Sequence, residues 1–193
     1  VFTASTHDYI LFFTNMGRVY RRKGYQIPAS GKTAKGSNIV NILPVDPGER
    51  VSAMISTNDV STGDRFLVMV TRGGTVKRLP VESLKNIRNN GIRALKLDED
   101  DELISVRETD GDRNILIATH DGSAVCFHET DIRAMGREAM GVRGIRLRDG
   151  DYVVGAARAL PGRNVLTITE NGYGKQTPVE EYRITARGGL GIK

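Results

Sequence analysis

The stretch FLVMVTRGGTV, residues 66–76, decides the fold. Five consecutive apolar residues, rich in branched side chains, run into a Thr, and a polar turn with two Gly then leads to a second strand. A short uninterrupted apolar run bounded by turn residues fits a strand buried on both faces, and Gly supplies the positive φ of a tight hairpin. The same phrase recurs three times, as YILFFTNMGRV (9–19), ILIATHDGSAV (115–125) and VLTITENGYGK (165–175). A Thr closes each first strand, at Thr14, Thr71, Thr119 and Thr169, with spacings of 57, 48 and 50 residues.

A second phrase follows the first three hairpins, a Gly with basic neighbours entering another apolar segment: KGSNIVNIL (35–43), GIRALKL (91–97) and GVRGIRL (141–147). An acidic or Gly-bearing turn comes next, at 46–50, 98–102 and 149–151, and then a fourth strand over 51–55, 103–106 and 152–157. Each repeat therefore holds about four short strands, with units at roughly 6–57, 64–109, 113–160 and 163–193, the last stopping before its fourth strand. Four-stranded units at a period near ~50 residues predict an all-β radial array of the propeller type. The alternative is a β-sandwich with repetitive hairpins. Helical content is expected to be small, limited to single turns opened by Pro80 and Pro178.

Composition narrows the function classes. The chain has 193 residues, 39% hydrophobic, with 22 Gly and one Cys, Cys126. One cysteine rules out a disulfide framework and any multi-Cys zinc site. No apolar run reaches the ~18 residues that span a bilayer, and no basic-then-apolar leader opens the chain, so no membrane partner is expected. His7, His120 and His128 belong to hairpins and have no metal-ligand spacing with Cys126. The acidic run 98–102 lacks the pattern of a calcium loop and reads as a solvated turn. No catalytic constellation and no metal site are expected.

The net charge of +5 is modest, but it is distributed in phase with the repeats. Residues 17–45 carry six basic and no acidic side chains, 72–97 seven and one, 132–148 five and one, and 172–193 four and two. Between them, 98–131 carries two basic and eleven acidic. In a radial array equivalent loops lie on equivalent surfaces, so the basic windows share one circumference. Basic side chains along a curved surface suit a polyanion whose phosphates release counterions on binding. The candidates for DNA contact are Arg18, Arg21, Arg22, Lys23, Lys32 and Lys35 in the first unit, and Arg72, Lys77, Arg78, Lys85, Arg88, Arg93 and Lys96 in the second. The third offers Arg133, Arg137, Arg143 and Arg146, and the fourth Lys175, Arg183 and Arg187. Because side chains alternate along strands, about half of these are expected to face DNA. Few aromatics lie near them, which favours duplex over single-strand binding. A propeller scaffold for protein partners would need apolar or aromatic rims instead, and a propeller enzyme would need His or carboxylates at the inner strands.

The segments THDYILFFTNMGRVY (6–20), TAKGS (33–37), MGREAMGVRG (135–144) and EEYRITARGGLG (180–191) closely resemble the C-terminal domain of the gyrase A protein of DNA gyrase, and the resemblance runs over essentially the whole chain. It implies a β-pinwheel, in which neighbouring blades exchange strands, that wraps duplex DNA on a basic outer rim. It implies membership of a type II topoisomerase, with the rest of gyrase A plus gyrase B as partners in an A2B2 complex. That parent enzyme uses ATP and Mg to introduce negative supercoils in the bacterial cytoplasm, at the nucleoid. The catalytic tyrosine and the ATP site of that enzyme lie outside this segment, so no cofactor is expected in it. The corresponding protein of topoisomerase IV carries a related domain and is the alternative. The family's QRRGG-type box is not intact; ARGGLG (186–191) is the nearest stretch and corresponds to a loop of a later blade. The chain thus reads as an internal portion of about four blades.

Overall fold

The computed structural model describes residues 2–58, 60 and 63–193. In the first repeat β1 (Tyr9–Thr14) and β2 (Arg18–Lys23) form a hairpin and β3 (Val51–Thr57) pairs on the far side of β1. The second repeat has β4 (Phe66–Thr71), β5 (Thr75–Pro80), β6 (Ile92–Arg93) and β7 (Leu103–Thr109). The third has β8 (Asn114–Thr119), β9 (Ala124–His128), β10 (Val142–Arg143) and β11 (Val153–Ala159), and the fourth ends with the hairpin β12 (Asn164–Ile168) and β13 (Gly174–Pro178).

The recurring Thr has a specific task. The side-chain oxygens of Thr14, Thr71, Thr119 and Thr169 each accept from the backbone N–H four residues later, at 3.1–3.3 Å. The same residue's carbonyl accepts from the turn Gly: Gly17, Gly74, Gly122 and Gly172, all with φ between 76° and 87°. A hydroxyl cap and a left-handed Gly close all four turns alike, so the phrase recurs because the turn does.

Strand order shows how the repeats interlock. The first sheet runs β3-β1-β2-β6 and the second β10-β5-β4-β7, so β6 and β10 are each donated to the sheet of the preceding repeat. Val19 pairs with Ile92 and Val76 with Val142; at the third junction Ala124 bridges Ile192. The blades exchange strands. The fourth-type strands β3, β7 and β11 touch one another from sheet to sheet, which places them at the centre, and the donated strands lie on the opposite, outer edge.

The core fills the gaps between sheets. Leu67 and Met69 of β4 pack with Leu11, Phe13 and Val19 of the first repeat, while Val68 and Val70 pack with Ile115, Ile117 and Phe127 of the third. Alternate residues of β4 thus bury against different neighbours, which is why the run 66–70 is apolar throughout instead of alternating.

Two sequence expectations need correction. The segments 91–97 and 141–147 form only two paired residues each, because the following amides turn inward: Ala94 and Leu95 N–H both donate to the Gly17 carbonyl, and Gly144 and Ile145 N–H to that of Gly74. Residues 35–43 form no strand; Ile39–Asn41 is a 3-10 turn capped by Asn38. The segments 91–97 and 141–147 instead pair with the second strand of the hairpin in the preceding repeat. The Pro-opened turns are 3-10 turns, Val81–Leu84 and Val179–Glu181, each with Pro at the N-cap.

Candidate nucleic-acid interface

Strand donation brings the basic loops of consecutive repeats together at the outer edge. At the first junction, β2 meets the loop that leads into β6. Arg21 Nη1 donates to the Lys85 carbonyl at 2.9 Å, and Arg22 Nη2 to that of Asn89 at 3.3 Å, so Arg21 and Arg22 lie beside Lys85 and Arg88. Lys23 and Arg21 both lie over the Tyr9 ring, at 3.4 and 4.8 Å from its centre, which holds the two cations on one side of β2.

The second junction is built the same way. The loop before β10 lies across β5 and the segment that carries Arg93 and Lys96. Lys96 N–H donates to the Ala139 carbonyl, and Arg93 pairs with Glu138 at 3.4 Å. Lys96, Arg143 and Arg146 then line an open cavity of about 710 Å³ together with Asp98 and Asp101. At the third junction Arg187 donates from Nη1 to the Arg143 carbonyl, and Arg146 N–H donates to that of Gly189. Arg143, Arg146 and Arg187 therefore form the next group in the series. Lys32, Lys35, Arg133, Lys175 and Arg183 are exposed on their own segments.

Four of the sequence candidates are placed elsewhere. Lys77 is fully buried, its ammonium donating to three backbone carbonyls, so it cannot reach a phosphate. Arg78 has a side chain only 13% exposed, stacked on Phe66 and 3.6 Å from the buried carboxylate of Glu129. Arg18 is neutralised by Asp46 at 2.8 Å and Glu49 at 3.4 Å, and donates to the Asn90 carbonyl. Arg72 lies on the Tyr152 ring among Asp98, Glu99, Asp100, Asp101 and Asp151, where carboxylates repel a polyanion. Lys77 and Arg78 point to opposite faces of β5, and both faces are covered by packing. Arg18 and Arg72 are occupied by neighbouring carboxylates and, for Arg72, an aromatic ring. Arg148, which the sequence pattern does not single out, is exposed two residues beyond Arg146 and donates from Nη1 to Ser123 Oγ at 3.3 Å.

Two buried carboxylates, Glu49 and Glu129, anchor polar contacts in the interior. Glu49 accepts from Thr14 Oγ1 at 2.7 Å and from Asp46 N–H at 2.8 Å, and receives the Tyr20 hydroxyl at 3.3 Å. Burial, and then the Glu49 charge, push the Tyr20 phenol up to about 12. Glu129 accepts from Thr109 Oγ1 and from Arg113 N–H in the same manner. Among the described residues, one group could share a cation: His120, Asp121 and Asp151, with ligand atoms within 4.8 Å of one another. Each is already engaged. His120 Nδ1 is 3.1 Å from Asp121, and Asp151 accepts from the amides of Asp121 and Tyr152.

With this geometry in place, known proteins give the family. The profile described as DNA gyrase C-terminal domain, beta-propeller, matches residues 8–58, 65–110, 113–159 and 163–193. The chain belongs to the DNA gyrase C-terminal domain family. It is 49% identical to the gyrase A protein of DNA gyrase from Staphylococcus aureus (strain MRSA252), over 99% of the chain and 22% of that protein. The chain thus spans about a fifth of the length of the curated relatives it matches. Among solved structures it resembles the C-terminal domain of DNA topoisomerase IV, with a TM-score of 0.87 and 29% identity over 97% of this chain and 58% of that one. The DNA gyrase A C-terminal domain gives 0.82 and 27% over 98% and 60%. The E. coli ParC C-terminal domain, at 20% identity, shares the fold. The strand exchange described above is the family's pinwheel in this gyrase C-terminal domain member.

Proposed function

We propose that the chain binds duplex DNA without sequence preference along its outer edge and bends it from one repeat junction to the next. One observation carries this: strand donation sets Arg21, Arg22, Lys85 and Arg88, then Arg93 and Lys96 against the loop that carries Arg137, then Arg143, Arg146 and Arg187 at successive junctions of the same edge. Arg133 and Arg148 are exposed on the same segments. Lys23, Lys32, Lys35, Lys175 and Arg183 extend the contact. Bending a 20–30 bp site costs on the order of 1–6 kcal/mol, so several spaced clusters are required to offset it. Acidic side chains near Arg72 keep DNA off the turn side of the blades.

In the parent protein this wrapping presents a DNA crossover to the cleavage core of a gyrase, an ATP-dependent type II topoisomerase that introduces negative supercoils at the bacterial nucleoid. The rest of gyrase A together with gyrase B, in an A2B2 assembly, supplies the catalytic tyrosine, the ATP site and the Mg. This chain contributes positioning and charge. Family membership and the gyrase A relatives support that assignment over topoisomerase IV.

The test is fluorescence anisotropy of labelled duplexes across a salt series and a length series. Affinity is expected to fall with log salt at a slope of about −0.9 per neutralised phosphate, and to rise steeply once the duplex exceeds one junction's footprint. Lys85→Glu with Arg88→Glu is expected to weaken all sequences alike and to flatten the slope by about 2. Length-independent binding, or loss confined to one sequence, would overturn the proposal.

A further inference from the structure

A lysine whose ammonium has no carboxylate against it among the described residues lies inside the second junction. Lys77 is fully buried on β5, and its Nζ donates to the carbonyls of Ala94 at 2.8 Å, Arg137 at 2.8 Å and Ala139 at 3.0 Å. An ammonium has three protons, so its hydrogen-bonding capacity is filled entirely by backbone.

The three carbonyls come from two repeats. Residues 134–142 of the third repeat form a loop fastened at both ends to β5, with Ala134 bridging Arg78 and Val142 pairing with Val76. Lys77 lies between those two anchors and its ammonium occupies the loop's interior. Ala94 belongs to the segment of the second repeat that carries Arg93 and Lys96. One buried cation thus ties two basic segments to each other.

The other junctions fill this place differently. By strand register, Tyr20 opposite Phe12 and Val125 opposite Ile117 correspond to Lys77 opposite Met69. At the first junction the Tyr20 ring packs under Gly91, where an added Cβ would come within 2.8 Å of a ring carbon. Val125 is apolar. The fold accepts a phenol or an isopropyl group at this position, so a buried charge is not needed for folding as such. Such a charge is costly unless hydrogen-bonded, and burial lowers the Lys77 pKa to about 8, with the Glu138 carboxylate raising it and Arg137 lowering it. At neutral pH the amine keeps its proton and all three donors.

We propose that Lys77 is a positioning residue for the phosphate contacts: its ammonium holds the loop 134–142 in the shape that presents Arg137 beside Arg93 and Lys96. This rests on the DNA-binding function proposed above. Lys77 touches no DNA and acts through the loop it closes.

The test is a double-mutant cycle in the full chain, read as duplex affinity over a salt series. Lys77→Val, which installs the third repeat's side chain, is expected to weaken binding about tenfold near 100 mM salt and to flatten the salt slope by about 1. In an Arg137→Ala background the same substitution is expected to change affinity less than about twofold, because the group it positions is gone. Lys77→Gln keeps two donors; it is expected to restore part of the loss, and it carries the same cycle if the Val variant is too unstable to assay. An equal loss in both backgrounds, or no loss in either, overturns the proposal while leaving DNA binding intact. Absence of salt-dependent binding by the unmodified chain would instead sink the DNA-binding function, and this inference with it.

Discussion

At the scale of single residues, the interior is where charge assignments from sequence alone go astray. Arg78 and Lys77 are adjacent on β5, and both count toward a basic window, yet neither is free for a ligand. Arg78 depends on Glu129, whose side chain is fully buried. Removing one member of a buried pair leaves the other uncompensated, so Glu129→Ala is expected to destabilise the chain by about 3–5 kcal/mol, measured by denaturant unfolding. An effect below about 0.5 kcal/mol, typical of surface pairs, would show that the Arg78 guanidinium is solvated. The recurring Thr and Gly of the hairpins were legible because each residue type is demanded by its own turn's local geometry. The partner of Arg78 was not, because Glu129 is 51 residues away and meets it only through packing of neighbouring blades.

At the scale of elements, the hairpins were readable and the donated strands were not. The run 66–70 has an apolar side chain at every position, which marks a strand with two buried faces. The segments 91–97 and 141–147 look alternating, but their pairing partner belongs to another repeat and only two residues of each find it. The turns at the end of the blades are linked in a further way. His120 stacks on Tyr152 with ring centres 4.7 Å apart, and its Nε2 is 3.5 Å from Glu170 of the fourth repeat. The Asp121 hydrogen bond, and then Glu170, raise the His120 pKa. A raised folded-state pKa means the contribution is fully present below the unfolded value of about 6.5 and is lost as pH rises through the folded value. Amide exchange at the β12–β13 hairpin is therefore expected to be slowest, after correction for intrinsic rates, near pH 6 and faster at pH 8. In His120→Gln that pH dependence is expected to vanish; if it persisted, another group would be responsible.

At the scale of the whole molecule, strand donation makes the repeats one cooperative unit. Met69 belongs to the second repeat but packs in a core shared with Leu11, Phe13 and Val19 of the first. Met69→Ala is expected to cost about 2–5 kcal/mol and to lower the melting temperature by roughly 5–15 °C. In calorimetry the single endotherm should shift as a whole; splitting into two peaks would mean that the repeats melt independently. By itself, the sequence determined the repeat, the hairpin chemistry, the all-β class and the phase of the basic windows, because turns and buried strands are encoded within a few residues. Only the tertiary structure decided which of those basic side chains lie on the outer edge and which are spent inside. The first two sheets are each completed by a strand from the next repeat, so the surroundings of Lys77 are set by residues up to 62 positions away. No local pattern contains that information.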